Sequence, residues 1–289
     1  MKGEYCVGSA SFLSFVALML LIFVHVGQIN TSTVPYGIAM AKVNMSGFGQ
    51  ALSIGVVKPD PVLGLYTNNY TSPLGEQNGL RQFYQFGLYS YCAFVNSSAG
   101  TCTNHTVADR FEPYIAITSD MLQNYTQFAF GFFGNTTFAN SDYLGNNAVA
   151  AYYFILLGTI FATIALLTGV ARRAILFFIS TTMSIMAALF ILIGAAIWTS
   201  IVKKCESINT QDISSGVLSG IVVSYGNGIY LTWAAFACLA ASIVPYMLRY
   251  DCSINSFKAA WLMAHPAVAH FDDAGHRPRL DTYDIDNLL

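Results

Sequence analysis

Residues 148–202 read AVAAYYFILLGTIFATIALLTGVARRAILFFISTTMSIMAALFILIGAAIWTSIV, and the placement of charge in this stretch decides the fold. Two long apolar runs flank one basic pair, Arg172–Arg173, and neither run contains Asp, Glu, Lys or Arg. Each is long enough for a helix to cross about 30 Å of hydrocarbon, which takes roughly 20 residues. A charge at the centre of either run would cost at least about 2.5–3.5 kcal/mol. The Arg pair therefore marks a short turn between two spanning helices, 148–171 and 174–202.

Two further charge-free stretches lie outside this pair, at 7–28 and within 213–248, the latter best placed at 228–248. The first exceeds the roughly 7–15 residues of a signal-peptide core, and no small-x-small cleavage site follows before Asn30, so a retained span is expected. Composition agrees with four spans. The chain has 289 residues, 55% hydrophobic and 10% charged, with a mean hydropathy of +0.52; soluble domains carry about 25% charged residues. A net charge of −2 and no basic run longer than two residues exclude nucleic acid as a partner. Membrane lipids are the expected surroundings.

Short connections rich in Lys and Arg stay in the cytoplasm, so Arg172–Arg173 places that turn, and with it both termini, on the cytoplasmic side. The acceptor triplets Asn-x-Ser/Thr agree: Asn30, Asn44, Asn69, Asn96, Asn104, Asn124 and Asn135 each begin one, and all fall between the first two spans. Lys203–Lys204, at the outer end of the third span, run against the charge rule. The predicted organisation is a cytoplasmic N-terminus with the first span (1–29), an extracellular glycosylated β-domain (30–147), spans at 148–171 and 174–202, a second extracellular loop (203–227), a fourth span (228–248) and a cytoplasmic tail (249–289) in the plasma membrane.

Residues 30–147 far exceed the roughly 12–15 residues at which an unstructured connection becomes unusual. Tyr, Phe, Val and Thr punctuated by Gly, Pro and Asn predict short strands, at 38–43, 53–57, 83–94 and 114–118. The aromatic segment 124–140, with Phe128, Phe130, Phe132 and Phe133, either covers a sheet or touches the outer leaflet. Cys92 and Cys102 enclose the turn-forming residues 96–100, which would set them side by side on antiparallel strands. In an exported loop with no other cysteine, a disulfide is favoured over two free thiols.

Phe86-Gly87-Leu88-Tyr89-Ser90-Tyr91-Cys92 followed by Cys102 resembles the claudin-superfamily signature of Gly-Leu-aromatic, two residues, Cys and a second Cys. A Tyr just before the first Cys and a loop of this length resemble the fungal Sur7/PalI family within it. Tyr89 stands where that family usually has Trp. The resemblance implies a membrane α-helical, claudin-like fold: a left-handed four-helix transmembrane bundle under a small extracellular β-sheet, with Cys92–Cys102 joining neighbouring strands. It implies a non-enzymatic organising protein of the plasma membrane, tied to furrow-like domains (eisosomes) and cell-wall integrity. PalI-like members act instead in ambient-pH signalling, and other claudin relatives serve as accessory subunits of channels or receptors.

Small residues recur at helical spacing at Gly158, Ala162, Ala165 and Gly169 on the second span, and at Ser180, Ser184, Ala187 and Gly194 on the third. Packing within the bundle is the expected use of these stripes; an interface for a homo-oligomer or a larger membrane partner is the alternative. His25 is read as an interfacial residue in preference to a proton sensor. Cys6 and Cys252 are candidates for S-acylation at the cytoplasmic face. Cys238 is expected to pack within the fourth span, and Cys205 has no evident partner. Residues 255–264 suggest a short interfacial helix, and the ending Asp284-Ile285-Asp286-Asn287-Leu288-Leu289 resembles an acidic dileucine signal. Nothing in the sequence points to an enzyme. It contains no metal-ligand motif, no phosphate-binding Gly loop and no nucleophile elbow, and no cofactor is expected. The loop acids Asp60, Glu76, Asp109, Glu112, Asp120 and Asp142 form no evident pair.

Overall fold

The structure, a computed structural model, describes residues 2–55, 64–96, 99–126, 133, 136–169, 174–214 and 216–264. In chain order its elements are α1 (Lys2–Val26), α2 (Thr33–Gly37), β1 (Ala41–Asn44), α3 (Phe48–Gly55), β2 (Phe83–Phe86), β3 (Tyr91–Phe94), β4 (Gly100–Cys102) and α4 (Pro113–Asp120). Then follow α5 (Ser141–Gly169), α6 (Ala174–Cys205), β5 (Asp212–Ser214), β6 (Val217–Leu218), β7 (Val222–Tyr225) and α7 (Asn227–Ala264). Among the described residues four helices are long and apolar enough to cross a membrane, over Gly8–Val26, Ser141–Gly169, Phe178–Thr210 and Asn227–Pro245. The chain is a multi-pass membrane protein.

The four long helices close a ring in which α5 packs on α6, α6 on α7, α7 on α1 and α1 on α5. Small residues let the backbones approach. A Cβ on Gly158 would meet Ile191 Cδ1 at 2.6 Å, and one on Gly194 would meet Ile155 Cγ1 at 2.7 Å. The predicted small-residue stripes are thus spent largely inside the chain. Ser180 Oγ donates to the Ala165 carbonyl at 2.7 Å, and Ser184 and Ser242 hydroxyls meet at 3.0 Å. In hydrocarbon such bonds satisfy groups that no water can reach. Phe12, Leu167, Phe178 and Val244 point outward toward the lipid.

Above one end of the ring lies a five-stranded antiparallel sheet in the order β4-β3-β2-β1-β7. Its β7 comes from the loop between the third and fourth spans and pairs with β1 from Ala41↔Tyr225 to Asn44↔Val222. The sheet thus stitches the two loops together. The four residues of β7 carry no turn or alternation signal strong enough to show in the sequence.

Several strand expectations are corrected. Residues 53–57 were expected to be extended, but α3 runs through Gly55, and Phe48, Ala51 and Leu52 bury one helical face. Residues 114–118 fall inside α4, where Pro113 fixes the first helical position and Pro113, Ala116, Ile117 and Asp120 face inward at helical spacing. In both, β-favouring side chains yield to tertiary burial. The strand expected over 38–43 begins later, at Ala41, after the short α2. The single strand expected over 83–94 is two strands, paired from Phe83↔Phe94 to Phe86↔Tyr91 about a turn at residues 87–90.

Other elements extend expectations. Residues 255–264 continue α7 as one helix past Pro245 and do not form a separate interfacial piece. Cys205 is the last residue of α6 and fully buried, outside the second loop proper. Phe133 turns inward against Phe48, Tyr114 and Phe138 with ring centroids 5.7–6.1 Å apart. Lys203 pairs with Glu206 at 2.8 Å, and Lys204 donates to the Tyr143 hydroxyl at 2.7 Å, so both lysines at the end of the third span have partners. Asp60, Phe128, Phe130, Phe132, Asn135, Arg172–Arg173 and residues 284–289 lie outside the described residues, as do the side chains of Cys6 and Cys252.

Candidate functional site at the sheet–bundle junction

The chain leaves α1 through Gln28, whose φ of 58° turns the backbone into the left-handed region. Its side chain is fully buried. The Nε2 group lies 2.9 Å from the Pro35 carbonyl, 3.0 Å from that of Tyr36, 3.1 Å from that of Ile38 and 3.2 Å from Gln85 Oε1. Two hydrogens thus serve a cage of four acceptors. The Gln28 carbonyl accepts from Ser90 Oγ at 2.6 Å and lies 3.2 Å from the bridged sulfur of Cys92. One residue therefore fastens the end of α1 to β2, to β3 and to the segment that leads into β1.

The signature residues fit around this point. A Cβ on Gly87 would come within 2.7 Å of the Gly27 carbonyl oxygen and 2.9 Å of Gln28 Cβ, so only glycine lets the β2–β3 turn lie on the end of α1. Leu88 is buried and its carbonyl accepts from the Asp109 amide at 3.2 Å. Cys92 and Cys102 are direct cross-strand partners on β3 and β4 and form a disulfide. An aromatic column continues downward: Phe86 meets Phe111 at 5.0 Å, and Phe111 meets Trp198 of α6 at 5.5 Å.

Tyr89 reaches from the turn into the bundle. Its ring stands edge-on to Tyr152 at 5.3 Å, and its hydroxyl lies 3.0 Å from His25 Nδ1. The other ring nitrogen of His25 is 3.1 Å from Thr159 Oγ1, whose own hydrogen goes to the Ile155 carbonyl at 2.8 Å. Thr159 can then only accept, so His25 carries its proton on Nε2 and accepts the Tyr89 hydroxyl at Nδ1. Burial and the neighbouring Tyr152 hold the Tyr89 phenol well above its ordinary value. The chain Tyr89–His25–Thr159 links the sheet to α1 and α5. A Trp at position 89 would keep the ring but change the donor. Tyr89→Phe should cost about 1 kcal/mol. In a double-mutant cycle with His25→Gln, measured by thermal unfolding in detergent, the two losses should be less than additive.

A second cluster lies deeper in the sheet domain. Arg81 and Asp120 are fully buried and pair at 3.1 Å. Asp120 also accepts from the Tyr84 hydroxyl at 2.9 Å and from the Gly75 amide at 2.7 Å, while Arg81 Nη2 donates to the Ser72 carbonyl at 2.5 Å. Burial raises the Asp120 carboxyl above its ordinary value, opposed by the Gly75 amide, by Arg81 and by Tyr84. Asp120 also raises the Tyr84 phenol, after burial itself. Through Asp120 the cluster holds the loop before β2 against α4, while the buried Arg81 Nε makes no hydrogen bond among the described residues. The sequence shows Asp120 only as one of several loop acids without a partner and does not mark Arg81, from which 38 other residues separate it.

Between β3 and α4 runs an open recess of about 390 Å³, lined among others by Tyr91, Val107, Asp109, Arg110 and Ile115. Arg110 Nε contacts Glu112 at 2.5 Å and its Nη2 reaches Asp142 at 3.4 Å, so two of the loop acids that form no evident pair in the sequence meet at Arg110. Asp109 accepts from Thr106 Oγ1 at 3.0 Å, and burial pushes its carboxyl up. Val107 and Ile115 form exposed apolar rims. Such a surface offers contact area; among the described residues no His, Cys, Asp and Glu group is arranged to hold a metal ion.

The described acceptor asparagines all lie on the sheet side. Asn30, Asn69, Asn96, Asn104 and Asn124 are exposed, and Asn44, at the end of β1, is half-buried. In Asn30 and Asn69 the hydroxyl two residues on donates to the Asn Oδ1, at 2.5 and 2.8 Å. A family model described as the SUR7/PalI family matches residues 6–244, which takes in the sheet and all four spans. No curated protein matches the chain.

Proposed function

The chain belongs to the SUR7/PalI family, and from that premise we propose that it organises the plasma membrane by contact, without catalysis. The reading supported best is a Sur7-type role in furrow-like membrane domains (eisosomes) and in cell-wall integrity, with the sheet outside and both termini in the cytoplasm. The observation that carries it is the commitment of the sheet domain's reactive groups to structure. Arg81, Asp120 and Tyr84 bind one another, and Tyr89 and His25 bind each other. What remains available is a rigid exposed surface fixed to the bundle at Gln28. The outward orientation draws on the acceptor asparagines crowding the sheet side and on the basic pair Arg172–Arg173, which in the sequence lies between the second and third spans.

The recess beside Arg110 favours one second reading, an accessory subunit whose larger membrane partner seats there. Deleting the chain from its host should shrink or scatter furrow domains and raise sensitivity to wall-perturbing agents. Unchanged domains and unchanged wall resistance would overturn the organising role. Purification in mild detergent then separates the two readings: a stoichiometric larger membrane protein supports the subunit, and homo-oligomers alone support self-organisation.

A further inference from the structure

The two edges of the five-stranded sheet are finished differently. At β7 the Asn209 side chain acts as a substitute strand. Its Nδ2 donates to the Val223 carbonyl at 2.9 Å, and its Oδ1 accepts from the Val223 amide at 2.7 Å. Both outward backbone groups of Val223 are thereby closed to a neighbouring chain.

At β4 no described strand lies beyond Gly100–Cys102. The direction of its backbone groups follows from the ladder. The Thr103 amide donates to the Tyr91 carbonyl at 2.9 Å and the Val95 amide to the Ala99 carbonyl at 2.8 Å. Bonded and non-bonded pairs alternate in an antiparallel ladder, so Ala93↔Thr101 is bonded, and Gly100 and Cys102 turn their amides and carbonyls outward. That is the pattern a second copy would complete. A two-fold pairing centred on Thr101 sets residue 100 of one copy opposite residue 102 of the other. In a membrane protein held at high local density, such an edge invites pairing.

The open edge is bracketed by acceptor asparagines. Asn96, in the turn before β4, and Asn104, just after it, are both exposed. Asn104 also lines an open recess of about 310 Å³ beside the edge, together with Asn30, Thr31, Thr101, Thr103 and His105. Three residues of strand span about 10 Å, which a branched N-linked glycan at either end covers. We propose that N-glycans on Asn96 and Asn104 shield the β4 edge and prevent edge-to-edge pairing between copies, doing at this edge what Asn209 does at the other. The proposal rests on the reading that the sheet faces outside.

The test uses the full chain made in a glycosylating host and purified in mild detergent. Ser98→Ala abolishes the acceptor triplet at Asn96 while keeping the Asn96 Oδ1 bond to the Ala99 amide, and Asn104→Gln removes the other. The Ser98→Ala/Asn104→Gln chain should shift toward dimers by light scattering, whereas Asn69→Gln/Asn124→Gln should not. Enzymatic deglycosylation of the folded wild-type chain should give the same shift without any substitution. With Thr101→Cys added, an interchain disulfide should appear in the stripped protein and be absent from the glycosylated one. Glycosylated Asn96 and Asn104 whose removal leaves the mass and the cross-link unchanged would overturn the shield alone. Absence of glycan from every acceptor would overturn the outward orientation as well.

Discussion

Asp120→Ala is expected to destabilise the sheet domain by about 3–5 kcal/mol, because it strands the Arg81 guanidinium in a dry interior. Both side chains are fully buried, and the substitution also removes the acceptor of the Tyr84 hydroxyl and the Gly75 amide. Chemical unfolding of the detergent-solubilised chain, followed by near-ultraviolet signals from the sheet-domain tyrosines, reads this loss. The paired replacement Arg81→Met with Asp120→Leu should recover only the part due to the stranded charge, because the Tyr84 hydroxyl and the Gly75 amide still lack their acceptor. The Asp120 carboxyl also carries a pH signature. Burial raises its folded value above the unfolded one, so the folded state holds the proton more tightly. Its contribution is therefore full below the ordinary carboxylate range and is lost as pH rises through the raised value. Asp120→Asn should flatten that part of the stability profile; a profile that keeps its slope would assign the effect to another group.

Replacing Cys92 and Cys102 together by Ser should have the second-largest effect. Closing a loop of this size removes unfolded-state entropy worth roughly 3 kcal/mol. Cys92 is fully buried beside the Gln28 carbonyl, at the end of α1. Loss of the bridge loosens β4, the edge strand, and frees β3 from the end of α1. The variant should be retained before reaching the cell surface, visible as glycans that stay sensitive to the enzyme that trims only immature forms. Surface delivery at the wild-type level would show that the bridge is dispensable to the fold.

Much of the architecture is written in local patterns. The absence of charge from four long stretches is a property of single segments, and the membrane enforces it residue by residue. The turn Gly87–Ser90 and the two cysteines are also local. What the sequence hides is long-range. Gln28 looks like an ordinary polar residue after an apolar helix, yet it meets Gln85, far along the chain. Arg81 and Asp120 are ordinary charges in an ordinary loop until the fold buries both. Asn209 seals an edge of a sheet to which its own loop contributes one short strand, and nothing nearby in the sequence announces that sheet. α3 and α4 are not legible as helices in the sequence because short apolar runs fit either periodicity, and the choice is settled by which face meets the core. The one candidate residue that gained most from the structure is Tyr89, whose hydroxyl explains why an aromatic donor on the signature turn has His25 beneath it.

The central claim is that the sheet, locked to the bundle, holds the protein in place by contact. Fluorescence recovery of the full chain, tagged at a terminus and observed in living cells, tests it most directly. Discrete surface patches that recover little over minutes are the predicted result. Uniform surface fluorescence that recovers as fast as a freely diffusing four-span protein would contradict it.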